Sequence, residues 1–275
     1  MSLLTSSNGT QSEIRRLNCG INGVNREIFS AFAGVSGVNR EIFSGKRTLA
    51  DLPAGTKILD PYHSNSREPN INKFILLTQN VRPGHSLLFT EYTSTTALSE
   101  SIKTVYASAY DDSYYHQSLI PSTVTFFKQN HSSQLVSALS PNYYTRSNTV
   151  RYDSGNDSFS FHYQLYTVSV FPLSAAELGK STDFSDCFFS GISSNFSSGA
   201  VSTAAANAKP YFTKTIGYYT DSSSRKRLRP LTVSSDGICD FNTNLSTFYF
   251  RYAFWLPSDT AVSESLTDGY FSLQF

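Results

Sequence analysis

The sequence predicts a strand-rich α+β protein, in which N-terminal β-hairpin or β-meander repeats are followed by one larger domain. Three observations carry this. Aromatic residues are 14% of the chain, with 21 Phe, 17 Tyr and 1 Trp, and such residues suit the pleated, half-buried surface of a strand. Charged residues are only 16%, against roughly 25% in an average soluble domain, which argues against long helices and coiled coils. Short apolar or alternating runs recur between clusters of Gly, Pro, Asn and Ser, and helical spacing is confined to the middle of the chain. The 275 residues suffice for one large domain with an appendage.

Residues 1–46 are set apart by an internal repeat. Residues 20–30 read GINGVNREIFS and residues 34–44 read GVSGVNREIFS, so the run GVNREIFS occurs twice at a period of about 14 residues. Asn22-Gly23 is a strong hairpin signal, because a type I′ turn needs positive φ at both central residues. Ser36-Gly37 fills the same place in the second copy. An extended strand then puts Val24, Arg26 and Ile28 on one face and Asn25, Glu27 and Phe29 on the other. The period is too short for a helical pair and predicts a small β-meander. Two such copies bury little apolar surface alone and need a partner, whether the rest of the chain, another subunit or a larger assembly. The candidate assembly residues are Gly23, Val24, Asn25, Arg26, Ile28 and Phe29, with Gly37, Val38, Asn39, Arg40, Ile42 and Phe43.

Gly45-Lys46-Arg47 marks the junction to the second domain, residues 47–275. TLADLPAGTKILD breaks at Pro53-Ala54-Gly55 and reads as strand, turn, strand. NKFILLTQ, residues 72–79, is a buried strand. Residues 98–110 and 117–140 are nearer helical spacing, with Val124, Phe127, Leu135, Val136 and Leu139 as apolar positions and Pro121 placed in a first helical turn. FHYQLYTVSVFPL, residues 161–173, returns to β composition. Residues 181–209 read as a long irregular loop of Ser, Gly and Ala. YFTKTIGYY, RPLTVSS and STFYFRYAFWLP follow as short aromatic strands.

The net charge is +1, so a bulk electrostatic partner such as duplex DNA is not expected. Cys19, Cys187 and Cys239 have no C-x-x-C spacing and read as unpaired thiols. The N-terminus lacks the basic start and apolar run of a signal peptide, and no apolar stretch approaches a membrane span. His63, His85, His116, His131 and His162 are scattered, so neither a metal site nor a cofactor is expected. No nucleophile elbow, P-loop or dinucleotide fingerprint is present. Asp111-Asp112 reads as a solvated turn. The densest positive run is Arg225-Lys226-Arg227 with Arg229, a weak, salt-screened patch. Paired aromatics such as Tyr218-Tyr219 and the run Phe248-Tyr249-Phe250-Arg251-Tyr252 cannot all face one core from a strand. Some are therefore expected at the surface, where Tyr suits sugar or protein recognition.

Two stretches resemble known families. The G-x-x-GVNREIFS repeats resemble short tandem repeats near the start of tail and baseplate-associated proteins of phages and prophages of low-GC Gram-positive bacteria. The rest is similar to a family of uncharacterised domains from the same prophages and from gut bacterial surface proteins. Leu49, Leu52, Gly55 and Ile58 match its opening. SVFPLSAAELG, residues 169–179, is similar to its central K-V-F-L-L-S-x-x-E-x-G, with Pro172 in place of a leucine. Arg251, Ala253, Phe254, Leu256 and Pro257 match its ending, where Tyr252 replaces a proline. The Asp236-Gly237 turn is present, but GYYTDSSSRKRLRP stands where the family has a W-L-R-S-P run. That family looks akin to the C-type-lectin-like fold of several adhesins.

The resemblance implies a structural and adhesive component of a phage tail or tail-like particle, a virion protein made in the bacterial cytoplasm. It implies a C-type-lectin-like binding domain over residues 47–275 and homotrimeric assembly with other virion proteins. The expected ligand is a host-surface glycan or protein, met by Tyr218, Tyr219, Arg225, Arg227, Tyr249 and Arg251, without catalysis. The alternatives are an architectural virion protein, such as a head fibre or decoration protein, and a particle-borne glycan-degrading enzyme. The enzyme would draw on Asp153, Asp157, Glu177, Asp183, Asp186 or Asp240.

Overall fold

The computed structural model describes residues 4–7, 10–13, 17–21, 24–28, 30–35, 38–44, 47–97, 105–106, 113–139, 143–153, 156, 158–179, 190–220, 222–224, 226–240, 248–264 and 269–275. The architecture is α+β and mostly β. The first six strands are β1 (Leu4–Ser7), β2 (Thr10–Glu13), β3 (Leu17–Ile21), β4 (Val24–Ile28), β5 (Ser30–Val35) and β6 (Val38–Ser44). They form three separate antiparallel pairs, β1–β2, β3–β4 and β5–β6, with no strand shared between pairs among the described residues. Ile21 lies opposite Val24 and Val35 opposite Val38, so the two VNREI runs are the second strands of successive pairs. Asn22, Gly23, Phe29, Ser36 and Gly37 lie outside the described residues.

The large sheet is built from β7 (Arg47–Thr48), β8 (Lys57–Leu59), β9 (Lys73–Arg82) and β10 (His85–Thr90), together with strands from the far end of the chain. Between them run β11 (Val105–Tyr106), α1 (Ser113–Asn130), α2 (Ser133–Ala138), β12 (Tyr143–Asp153), β13 (Ser158–Val168), β14 (Val170–Phe171), α3 (Ser190–Ser197), β15 (Tyr211–Thr220), β16 (Lys226–Val233) and β17 (Cys239–Asp240). The chain closes with β18 (Ala253–Pro257), β19 (Ala261–Glu264) and β20 (Phe271–Gln274). The eight-stranded order is β14-β18-β10-β9-β8-β20-β19-β7, with β20 parallel to β8. A second sheet holds β11, β16, β15 and β17, and β12 pairs only with β13.

Two apolar layers sandwich the large sheet. Along β9, Phe74 and Leu76 belong to one layer, Ile75 and Leu77 to the other. Along β18, Phe254 and Leu256 face the first, Ala253 and Trp255 the second. This is the period of two with both faces covered, so the strands read as continuous apolar runs. Leu119, Phe126 and Phe127 of α1 and Leu135 of α2 cover the first face. Ile192 and Phe196 of α3, with Phe171, Leu173, Leu178, Tyr211 and Val233, cover the second.

This arrangement corrects the reading of the aromatic run. Phe248, Phe250, Tyr252 and Phe254 all reach the first layer, and Phe250 stacks on Phe126 with ring centroids 4.4 Å apart. Of the alternate positions, Ala253 and Trp255 enter the second layer, Arg251 is buried, and Tyr249 stays half-buried. Two other expectations change. Residues 190–197 are helical rather than irregular, with Ile192 and Phe196 buried one turn apart. Pro121 lies inside α1 rather than in its first turn; it is exposed there, and the helix is held by its buried Leu119, Ile120, Phe126 and Phe127. Asp111-Asp112 lies outside the described residues.

The run SVFPLSAAELG resolves into a capped turn. Glu177 Oε2 accepts from the Ser174 amide at 2.9 Å, and the Glu177 amide donates to Ser174 Oγ at 3.0 Å. This is the reciprocal pattern of a capping box. Gly179 ends the turn at φ +77°, where a Cβ would stand 2.7 Å from Ser197 Oγ of α3. The Lys214 ammonium, 1% exposed, reaches Glu177 at 2.9 Å and lies 4.8 Å from the Phe171 ring centre. Removing one partner of such a pair strands the other charge in the core. Lys214→Met is therefore expected to cost about 3–5 kcal/mol in chemical denaturation, and adding Glu177→Leu to recover part of it.

His131 sits in the first layer, 4.2 Å from the Phe127 ring and 6.0 Å from that of His63, with Nε2 2.6 Å from the Tyr252 hydroxyl. Burial, reinforced by His63, holds its pKa well below 6.5. The folded protein thus keeps a neutral imidazole where the unfolded chain takes up a proton. Stability is full above about pH 6.5 and falls as the pH drops below it, by up to about 1.4 kcal/mol per pH unit. Melting temperatures between pH 6.5 and 5 are expected to fall in the native protein and to fall less steeply in His131→Gln.

Candidate functional site

The apolar layers stop short of one end of the large sheet, and a polar and aromatic cluster begins there. Lys57 opposes Ile75 and Leu59 opposes Lys73 in the β8–β9 ladder, so Lys57 and Lys73 share the face of the second layer. Glu91 follows β10, and its amide donates to the Lys73 carbonyl at 2.9 Å. Its carboxylate is doubly held. Lys57 Nζ lies 2.8 Å from Oε1, and the Tyr270 hydroxyl donates to Oε2. The Glu91 hydrogen bond raises the Lys57 pKa against a smaller opposing effect of burial. Lys73 Nζ stands 5.4 Å from the Tyr92 ring centre and 5.6 Å from that of Tyr270. These are cation–π distances.

A loop running along residues 91–93 forms the rim. The Ala206 amide donates to the Glu91 carbonyl at 3.0 Å. Asn207 Oδ1 accepts from the Thr93 amide and hydroxyl at 3.2 and 3.0 Å, and its Nδ2 donates to the Thr93 carbonyl at 3.2 Å. Ala208 takes φ +50°, an uncommon conformation for a residue with a Cβ. The next residue, Lys209, carries its ammonium 4.4 Å from the ring centre of half-buried Tyr249.

The expected contact residues do not gather here as a set. Tyr249 lies at the rim. Tyr218 and Tyr219 lie on β15, and Tyr219 opposes Arg227 of β16 in the ladder while Tyr218 opposes Leu228. Arg225 lies outside the described residues. Arg251 differs from the expectation of a surface contact, since it is only 1% exposed. Its guanidinium donates to the Thr90 carbonyl at 3.0 Å, the Thr203 carbonyl at 2.6 Å and the Tyr211 hydroxyl at 3.2 Å. It also stacks over Phe89, 4.2 Å from the ring centre. A planar fork of donors suits two backbone carbonyls and an aromatic face at once. Desolvation lowers its pKa, opposed chiefly by Tyr211.

Arg251 thereby ties the start of the rim loop to β10. Gly237 holds the same loop from the side, at φ +85°, where a Cβ would meet Thr203 Oγ1 at 2.6 Å and the Ala204 amide nitrogen at 2.9 Å. Sequence reasoning missed Lys57, Lys73, Glu91, Tyr92, Lys209 and Tyr270. They come from five separate stretches, and no spacing links them. The run K-F-I-L-L at 73–77 was read only as a buried strand, although its first residue is a lysine.

The buried carboxylates are consumed by the fold. Glu68 accepts from the Thr95 and Thr96 amides at 2.6 and 2.8 Å. Asp60 accepts from the Tyr62 amide at 3.0 Å and Ser132 Oγ at 2.6 Å. Asp157, Asp183, Asp186 and Cys187 lie outside the described residues, and Asp153 and Asp240 are described only as positions in β12 and β17. Among the described residues no group of three His, Cys, Asp or Glu side chains could hold a metal ion, and no helix is long and apolar enough to cross a membrane.

Arg251→Met removes the guanidinium donors to the Thr90 carbonyl and the Tyr211 hydroxyl, leaves the Thr203 carbonyl with the Tyr211 hydroxyl at 2.7 Å, and is expected to destabilise the protein by about 2 kcal/mol. Lys209→Met, at the half-buried rim, is expected to stay within about 0.5 kcal/mol. Urea denaturation of both variants distinguishes an internal tie from a surface contact. No protein-family model matches the chain, and no curated protein or solved structure matches it either.

Proposed function

We propose that the protein is a structural and adhesive component of a phage tail or tail-like particle, whose larger domain binds a host-surface glycan. The observation that carries the binding role is the cluster of Lys57, Lys73, Glu91, Tyr92 and Tyr270 beside the braced rim of Asn207 and Lys209. Ring faces, ammonium donors and an amide at one end of a sheet are the groups that sugar hydroxyls and sugar rings engage. Binding rather than catalysis is favoured because Glu177, one carboxylate the enzymatic reading would draw on, is committed to a cap and to Lys214. The C-type-lectin-like reading is supported by helices in the middle of the chain and aromatic strands at its end, packed into one domain. It remains a fold-level analogy.

The assembly role rests on the repeated GVNREIFS run and on its likeness to tail-protein repeats. The two copies lie in separate two-stranded pairs, and an isolated pair is marginal in water. A threefold particle would give such pairs further strands and surfaces to pack against. Light scattering after size exclusion is expected to give a trimer for the full chain and a monomer for a chain beginning at Arg47, which keeps β7 and the Arg47–Glu264 pair of 2.9 Å. A monomer in both would remove the repeats as the oligomerisation element. A trimer that binds no saccharide on a glycan array would favour the architectural virion protein.

A further inference from the structure

We infer that Lys73 is the anion-binding point of this site, and that the ligand is an acidic saccharide whose negative group meets the ammonium while its ring lies against Tyr92. The inference rests on the glycan-binding reading of the same cluster and narrows it to charged glycans.

The argument is one of unequal pairing. Two lysines flank a single carboxylate. Glu91 Oε1 is taken by Lys57 and Oε2 by the Tyr270 hydroxyl. No oxygen of Glu91 comes within ion-pair distance of Lys73, and among the described residues Lys73 has no ion pair. Its ammonium is instead flanked by the rings of Tyr92 and Tyr270. Ring faces attract a cation through their quadrupole but supply no hydrogen-bond acceptor and no counter-charge. Lys73 is half-buried, with three donor positions and no anionic partner from the protein. A ligand anion would complete it with a charge-assisted hydrogen bond.

The surroundings also set the charge of the ligand. Lys57 balances Glu91, so Lys73 leaves the cluster with one uncompensated positive charge, which a monoanion matches better than a dianion. A carboxylate on a sugar and a phosphodiester between sugars both meet that requirement. Lys209 lies along the same rim loop, two residues after Asn207, and gives a longer acidic saccharide a second cationic point.

The test is an array of immobilised saccharides probed with the full chain. It carries oligogalacturonate and sialyllactose as carboxylates, a sugar phosphodiester polymer, and lactose and galactan as neutral controls. Binding to the acidic probes is expected, weaker in added salt, and reduced at least about tenfold by Lys73→Met. Lys73→Arg should retain most of it. Urea denaturation of each variant confirms that the fold is kept. The carboxylate and phosphodiester arms show which source of anion the site takes. Binding to neutral probes alone, or acidic binding unchanged in Lys73→Met, overturns this inference and leaves glycan recognition standing. Binding to none of the probes overturns both.

Discussion

Burial of the large sheet on both faces is the constraint on which the other features depend. Strands β9, β10 and β18 send side chains alternately into two apolar layers. Over Phe74–Leu77, Ser86–Thr90 and Ala253–Leu256 neither face is left for water, so every polar group there needs an internal partner. The polar residues that are buried can be understood as answers to that demand. Glu68 fastens the 95–96 segment through its amides, Asp60 joins the turn at Tyr62 to Ser132 at the head of α2, and Ser86 meets Ser258 across the layer at 2.9 Å. Each fastens a loop or strand end to the sheet, where a hydrophobic side chain could fill the space but specify no partner.

The two buried cations show two solutions to one electrostatic problem. Lys214 carries a point charge and is given a carboxylate, Glu177, itself fixed by the capped turn at 174–179. Arg251 carries a delocalised charge and is given carbonyl oxygens and ring faces. The second solution needs no carboxylate in direct contact, although nearby Glu91 also favours the charged form, and it spreads one side chain over β10, the rim loop and Tyr211. A lysine could not copy it, because a compact ammonium lacks the planar fork and the stacking surface. The arginine thus ties the segment that leads into β18 to a distant loop.

Much of the fold was legible in the sequence, and the reasons are local. NKFILLTQ is a strand because it is short, apolar and bounded by polar residues. Residues 117–139 show helical spacing because α1 and α2 each bury one stripe. The errors came from assuming a single core. Under that assumption, consecutive aromatics at 248–255 must partly face water, whereas the second layer takes Ala253 and Trp255 and only Tyr249 stays half-buried. The helix at 190–197 was hidden by serine, which has no strong preference for a helix interior, and its only signal was Ile192 and Phe196 one turn apart. The binding cluster was illegible for a different reason. Lys57, Lys73 and Glu91 meet through the pairing of β8, β9 and the end of β10, and Tyr270 joins them only because β20 returns parallel to β8, a return that no single-sequence pattern encodes.

The placement of the cluster follows from the same geometry. The second apolar layer ends where β8 and β9 carry lysines instead of aliphatic residues, so the sheet surfaces there without ceasing to be rigid. The rim is equally constrained: Arg251 holds it from below, Gly237 from the side and Thr93 through Asn207. A loop fixed at three points loses little conformational freedom when a ligand arrives, and that entropy is a large part of the cost of binding a flexible polar ligand such as a saccharide. The strained backbone at Ala208 is consistent with such bracing, since positive φ at a residue with a Cβ persists only where its surroundings over-determine it. Rigidity at this end of the sheet is thus a by-product of how the core had to be closed, and it pre-organises a polar, aromatic surface that the second apolar layer leaves uncovered.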